Sequence, residues 1–132
     1  MRLDLLKRLC ETPGIPGYEE RIREIVIPEL RETCDEVSTD ALGNVIGLKR
    51  GTGAEGGDAP RRVMLAAHMD EIGFMVSHVD DQGFLRLQQL GGFDPRALFQ
   101  QRVLVHTQRD GSYRGVLAPA ALQADDVAER VG

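Results

Sequence analysis

Apolar residues recur along this chain with two different spacings. Leu5, Leu6, Leu9 and Cys10 form a helical stripe, which predicts a short amphipathic helix over residues 3–11. Thr12-Pro13-Gly14 stops it, and Pro16-Gly17 extends the loop. Ile22, Ile25, Val26 and Leu30 line one face of a second helix, expected over residues 18–33. Glu19 and Glu20 fall in its first turn, where negative charge suits the helix dipole. Pro28 lacks a backbone donor, so it should kink this helix or end it near Ile27. Residues 35–39 and 44–49 then read as two strands joined through Asp40-Ala41-Leu42-Gly43. A Gly-rich stretch over residues 51–60 reads as an exposed loop.

The continuous apolar run Val63-Met64-Leu65-Ala66-Ala67 follows. Its brevity and its charged and glycine borders predict a strand buried on both faces, as in a parallel sheet. After Gly73 the texture becomes β-rich throughout. Residues 74–79 and 84–88 flank the turn Asp80-Asp81-Gln82-Gly83. Period-two alternation places His78 on the side of Phe74 and Val76. Gly91-Gly92-Phe93-Asp94-Pro95-Arg96 reads as a turn between strands. Residues 102–107 and 112–117 flank the hairpin signal Arg109-Asp110-Gly111. The tail over residues 119–131 carries Leu122, Val127 and several alanines, and predicts a weak helix. The layout is helices plus a sheet up to about residue 72, then a small antiparallel barrel or sandwich.

Composition narrows the function classes. With 132 residues the chain fits one modest domain, and with 5% aromatics and no Trp its core must be mainly Leu, Val, Ile and Ala. A net charge of −5 with no basic block argues against a nucleic-acid surface. No apolar run approaches bilayer-spanning length, and the first residues mix charges with apolar side chains, unlike a secretory signal. Cys10 and Cys34 read as reduced thiols and small core residues, which points to the cytoplasm.

The candidate chemistry centres on His68 and Asp70, just beyond the carboxyl end of the apolar run. That is where working groups collect in open α/β sheets. A metal-bound His needs its second ring nitrogen held by an acceptor, and His-x-Asp can supply both parts. The alternative is that His68 caps a strand end and Asp70 caps the next turn. Two residues fall short of the three or four ligands of a zinc site. His78 and His106 read as strand residues, and Glu19-Glu20 as a solvated first helical turn.

Several stretches carry a family resemblance. They are Thr12-Pro13-Gly14-Ile15-Pro16-Gly17-Tyr18-Glu19-Glu20, Asp40-Ala41-Leu42-Gly43-Asn44, Leu65-Ala66-Ala67-His68-Met69-Asp70-Glu71-Ile72-Gly73-Phe74-Met75-Val76, Gly91-Gly92-Phe93-Asp94-Pro95-Arg96, Gln101-Arg102-Val103-Leu104-Val105 and Gly115-Val116-Leu117. On these the chain resembles the N-terminal part of M42-family metallo-aminopeptidases, a group that includes glutamyl aminopeptidases and proteins once called endoglucanases. The resemblance implies an α/β fold: residues 1–72 as part of a dizinc-peptidase-like α/β catalytic domain, and residues 73–132 as part of an inserted antiparallel β-barrel domain. It implies that His68 is a ligand in a site for two divalent metal ions, zinc or cobalt, and that Asp70 belongs to the catalytic residues as the group that orients His68. It also implies peptide substrates, release of N-terminal residues, and homo-oligomers from dimer to dodecamer. The bridging Asp, the catalytic Glu, the further acidic ligand and the second metal-binding His follow the barrel in the family and have no counterpart here. The chain is therefore expected to be an incomplete, inactive fragment. Two alternatives stand beside this reading: a non-catalytic β-barrel module used for assembly, and a gene fragment without a stable product.

Overall fold

The computed structural model describes residues 2–51, 62–109 and 111–118. The expected helix over residues 119–131 and nearly all of the Gly-rich loop lie outside the described residues. The chain divides into two compact units, one running up to Gly91 and one starting at Gly92.

Within the first unit, helix α1 spans Leu3–Glu11 and helix α2 spans Glu20–Arg31. Leu5 and Leu9, one turn apart, are the half-buried positions of α1. Cys10 is exposed, against the expectation of a core residue, because it falls beside this two-residue seam rather than in it. Arg2 and Glu29 form an ion pair that ties the start of α1 to the end of α2. Ile22 is 5% exposed and is the one buried side chain among the described residues.

Helix α2 does not stop at Ile27. It runs through Pro28 to Arg31. Pro28 withholds one hydrogen bond from the carbonyl of Glu24, but both residues are exposed, so water can serve that carbonyl. Beyond the proline the ladder resumes, with Glu32 N–H donating to Pro28 O at 3.2 Å and Cys34 N–H to Leu30 O at 2.8 Å. The first turn also differs from expectation. Glu19 is not simply solvated: it accepts from Gly17 N–H at 2.6 Å and pairs with Arg23 at 3.5 Å. Arg23 Nη2 adds Glu20 at 2.9 Å, and its Nη1 donates to Gly43 O. The acidic pair is therefore occupied in fixing the helix start to the next hairpin.

That hairpin pairs β1 (Glu36–Thr39) with β2 (Val45–Leu48), antiparallel, with Glu36 opposite Leu48 and Thr39 opposite Val45. Its turn follows from Asp40. The carboxylate accepts from the backbone of Leu42 and of Asn44, each at 2.9 Å, and from Asn44 Nδ2 at 2.8 Å. Gly43 N–H donates to Asp40 O, and Gly43 takes φ +87°, the left-handed conformation that closes a three-residue hairpin loop. Gly47 lets the segment after α2 settle on the pair, since a Cβ there would lie 2.8 Å from Cys34 Sγ.

A second hairpin joins β3 (Gly73–Val79) to β4 (Leu85–Leu90). Its turn repeats the first: Asp80 Oδ1 accepts from Gln82 and Phe84 N–H at 3.1 and 2.8 Å, and Gly83 takes φ +87°. One detail overturns a sequence expectation. Val76 faces Leu87 but His78 faces Arg86, so Ser77 is an extra residue, a β-bulge. The inserted residue moves His78 out of the phase of Phe74 and Val76. Ser77 Oγ donates to Arg86 O at 3.0 Å across the irregularity.

The run over residues 63–67 is not a strand. No strand is assigned there, and Val63, Met64 and Leu65 are 83, 87 and 93% exposed. A strand exists through its ladder, and among the described residues every paired strand belongs to a two-stranded hairpin, leaving this run without a neighbour.

The second unit holds the turn region and the third hairpin. Asp94 caps the 3₁₀ turn η1 (Pro95–Leu98), accepting from Arg96 N–H at 3.0 Å and pairing with the Arg96 guanidinium at 2.8 Å. Strands β5 (Arg102–His106) and β6 (Ser112–Val116) pair antiparallel. Among the described residues no helix is long and apolar enough to cross a membrane.

Two predictions follow from this architecture. Asp40 is held below the usual carboxylate range, first by the hydrogen bond from the Asn44 side chain, then by backbone amides. A depressed folded value contributes stability that is complete above the ordinary value of about 3.9 and is lost as pH falls through the lower, folded one. The Leu42 and Asn44 amide resonances should therefore hold their positions from neutral pH to about pH 4. An Asp40 carboxyl that titrates at or above its ordinary value would refute the turn described. The second concerns the whole chain. At about 25 cal/mol per Å² of apolar surface, exposing Val63, Met64 and Leu65 forgoes several kcal/mol, against a typical total stability of ~5–15 kcal/mol. The isolated 132-residue chain should self-associate on size-exclusion chromatography, covering this run while its hairpins stay folded. A monodisperse monomer with a sharp thermal melt is the contrary result.

Candidate functional site

His68 and Asp70 meet. His68 Nδ1 lies 2.8 Å from the backbone carbonyl of Asp70 and 3.2 Å from its Oδ1. A carbonyl and a carboxylate can only accept, so Nδ1 carries the proton and donates to both. In the neutral form of the ring this leaves the lone pair on Nε2, the atom a metal ion would take. The His68 side chain is 83% exposed, so that nitrogen is open to solvent, while Asp70 is 40% exposed. As a donor set this fits one ligand of a zinc site with its orienting partner. Chemically the pair can present an imidazole in a fixed tautomer and orientation.

The two residues stand in the approach to β3, and the first unit supplies what holds that approach. Glu71 N–H donates to Gly14 O at 2.8 Å, and Gly14 N–H donates back to Glu71 Oε1 at 3.4 Å. The loop after α1 thus lies directly against the segment that carries His68. Glycine is required on both sides of this seam. A Cβ on Gly14 would stand 2.6 Å from Ile22 Cγ1, and one on Gly73 would stand 2.4 Å from Ile15 Cγ2. Neither Gly14 nor Glu71 is singled out by sequence spacing, because their partnership spans 57 residues. The available signal was that both lie inside the two longest stretches of family resemblance.

The other candidates do not join this pair. His106 Nδ1 lies 2.6 Å from Ser112 Oγ across the β5–β6 hairpin, a cross-strand contact. His78 faces Arg86 on the bulged hairpin. Among the described residues no three His, Cys, Asp or Glu side chains gather into a group that could hold a metal ion.

Known proteins share this arrangement of elements. The lysyl aminopeptidase of Pyrococcus furiosus is 43% identical over 119 residues, which cover 88% of this chain and 32% of that protein. The aminopeptidase APDkam598 from the archaeon Desulfurococcus kamchatkensis superimposes with a TM-score of 0.77 at 37% identity, covering 92% of this chain and 33% of that one. The TET1 peptidase of Pyrococcus horikoshii, which can assemble into a tetrahedron or a large octahedral shell, gives 0.71 at 37% identity, covering 93% and 36%. The chain therefore spans about a third of the length of each of these proteins. Its likeness to them is that of an α/β peptidase fold. The family model of the M42 glutamyl aminopeptidases matches residues 43–131, across the His68–Asp70 pair and the β3–β4 and β5–β6 hairpins, and the chain belongs to that family.

Proposed function

We propose that this chain is part of a metal-dependent aminopeptidase that releases N-terminal residues from peptides. The observation that supports the reading most directly is the His68–Asp70 contact, which leaves Nε2 as the free imidazole donor within a stretch typical of the family. In this reading residues 1–72 belong to the α/β catalytic domain and residues 73–132 to an inserted antiparallel β-barrel domain. His68 is a ligand of one of two divalent ions, zinc or cobalt, through Nε2. Asp70 holds the ring in position and in the Nδ1–H tautomer. Bound metal would supply an activated water and a polarised scissile carbonyl. The general base and the remaining ligands come from outside the residues matched here. The protein acts in the cytoplasm and forms homo-oligomers; the assembly of the TET1 peptidase into a tetrahedron or a large octahedral shell supports the second point.

The reading is tested by grafting. Replacing the matching segment of the Pyrococcus furiosus lysyl aminopeptidase with this chain should give an active chimera. Within it, Asp70→Asn should cost about 10- to 100-fold in activity or metal affinity, as loss of an orienting partner does. His68→Ala should cost at least as much. A chimera indifferent to both substitutions refutes the assignment.

The chain alone should not retain two metal ions, because one imidazole and its orienting carboxylate leave most coordination positions to water. Metal analysis after dialysis against zinc should give less than one equivalent. Two retained equivalents, lost on His68→Ala, would show that the chain completes the site by itself.

A further inference from the structure

The Nδ1 proton of His68 has two acceptors on one residue, a carboxylate that can rotate and a backbone carbonyl that cannot turn without its peptide plane. The closer, at 2.8 Å, is the carbonyl. That carbonyl shares a peptide unit with the N–H of Glu71. The unit is planar and trans, so its C=O and N–H point in opposite directions, and holding one end aims the other. The N–H end is held: it donates to Gly14 O at 2.8 Å. A continuous relay therefore runs from the Gly14 carbonyl, through the Asp70–Glu71 peptide, to the imidazole of His68. Hydrogen bonds in such a chain polarise one another in the same sense.

The far end of the relay is itself fixed. Gly14 is buried, and its own N–H donates to Glu71 Oε1. Ile22 lies beneath Gly14 and Ile15 against Gly73, each so near that a methyl group on the glycine would collide. The loop cannot slide along the segment without opening that seam.

We infer that Gly14 and Glu71 are positioning residues for His68. Glu71 clamps the loop after α1, and the loop's carbonyl orients the peptide that fixes the ring and its tautomer. The use of this device for metal capture rests on the aminopeptidase reading. The relay itself does not, and it can be observed with neither metal nor substrate present.

The experiment uses the ¹⁵N-labelled 132-residue chain without metal. Long-range ¹H–¹⁵N correlation reports the tautomer of His68, and hydrogen exchange reports the Gly14 amide. The wild-type chain should show a dominant Nδ1–H form and a protected Gly14 amide. Glu71→Ala should speed Gly14 exchange about tenfold or more and remove the dominance of the Nδ1–H form. Glu71→Gln keeps an acceptor oxygen without the charge and should preserve both signals, which a purely electrostatic role would not allow. The dispersed amides of the β1–β2 hairpin report folding. Should Glu71→Ala lose them, Glu71→Asp, one methylene shorter, is judged by the same two criteria. The inference is overturned by a wild-type chain without the Nδ1–H preference, by an alanine variant that leaves both signals unchanged, or by a glutamine variant that behaves like alanine. An inactive chimera in the grafting experiment would leave the relay standing, and a failed relay would leave the aminopeptidase reading standing.

Discussion

In the first unit the loop after α1 hydrogen-bonds to the segment before β3, and the packing of Ile22 and Ile15 there leaves no room for a side chain at Gly14 or Gly73. The loop after α1 lies on the approach to β3 because both positions are glycine. Ile22 on α2 and Ile15 in the loop fill the space the missing side chains leave. One buried apolar side chain and one candidate site therefore share a support. Ile22 packs on one side of Gly14, and on the other Gly14 meets Glu71, next to Asp70 and three positions from His68. A methyl group at Gly14 would disturb packing and site together. Structural and functional constraints on that position cannot be separated.

Elsewhere the turns are held by neighbours in sequence. The Asp40 and Asp80 turns are complete within five residues each, and Asp94 closes its own turn through Arg96. The ion pairs of Arg23 reach its own helix turn, and only its bond to Gly43 reaches farther. Exposed ion pairs such as Arg50 with Glu36 contribute little, since solvent screens them. Long-range apolar packing supplies correspondingly less. Leu3, Leu6 and Leu42 remain open to solvent, as do Val63, Met64 and Leu65. Local polar geometry thus specifies the shape of the elements, and burial contributes little to keeping them.

The same division explains what the sequence could disclose. Both helices and all three hairpins were legible, because their signals are local: a 3.6-residue stripe, an Asp three residues before a Gly in the first two hairpins, or the adjacent Asp110-Gly111 in the third. The candidate pair His68 and Asp70 was legible for the same reason, being two residues apart. Other features were not. Pro28 was read as a kink or a stop because its rule ignores whether the orphaned carbonyl faces water. Residues 63–67 carry the pattern of a buried strand, but pattern does not supply the neighbours a ladder needs. The bulge at Ser77 leaves no composition signal, so alternation carried His78 to the wrong phase. The Gly14–Glu71 partnership is a contact between distant positions, and a single sequence holds no record of such contacts.

The three hairpin turns have a kinetic consequence. Each sets the register of its strands through bonds between residues no more than four positions apart, as from Thr107 N–H to Gly111 O at 2.9 Å in the third. Closing such short loops is fast, and hairpins form in about 1–10 μs. The Gly14–Glu71 seam must instead join residues 57 positions apart, the kind of contact that slows folding. Strand register in this chain is thus decided early and locally, and His68 acquires its final orientation last.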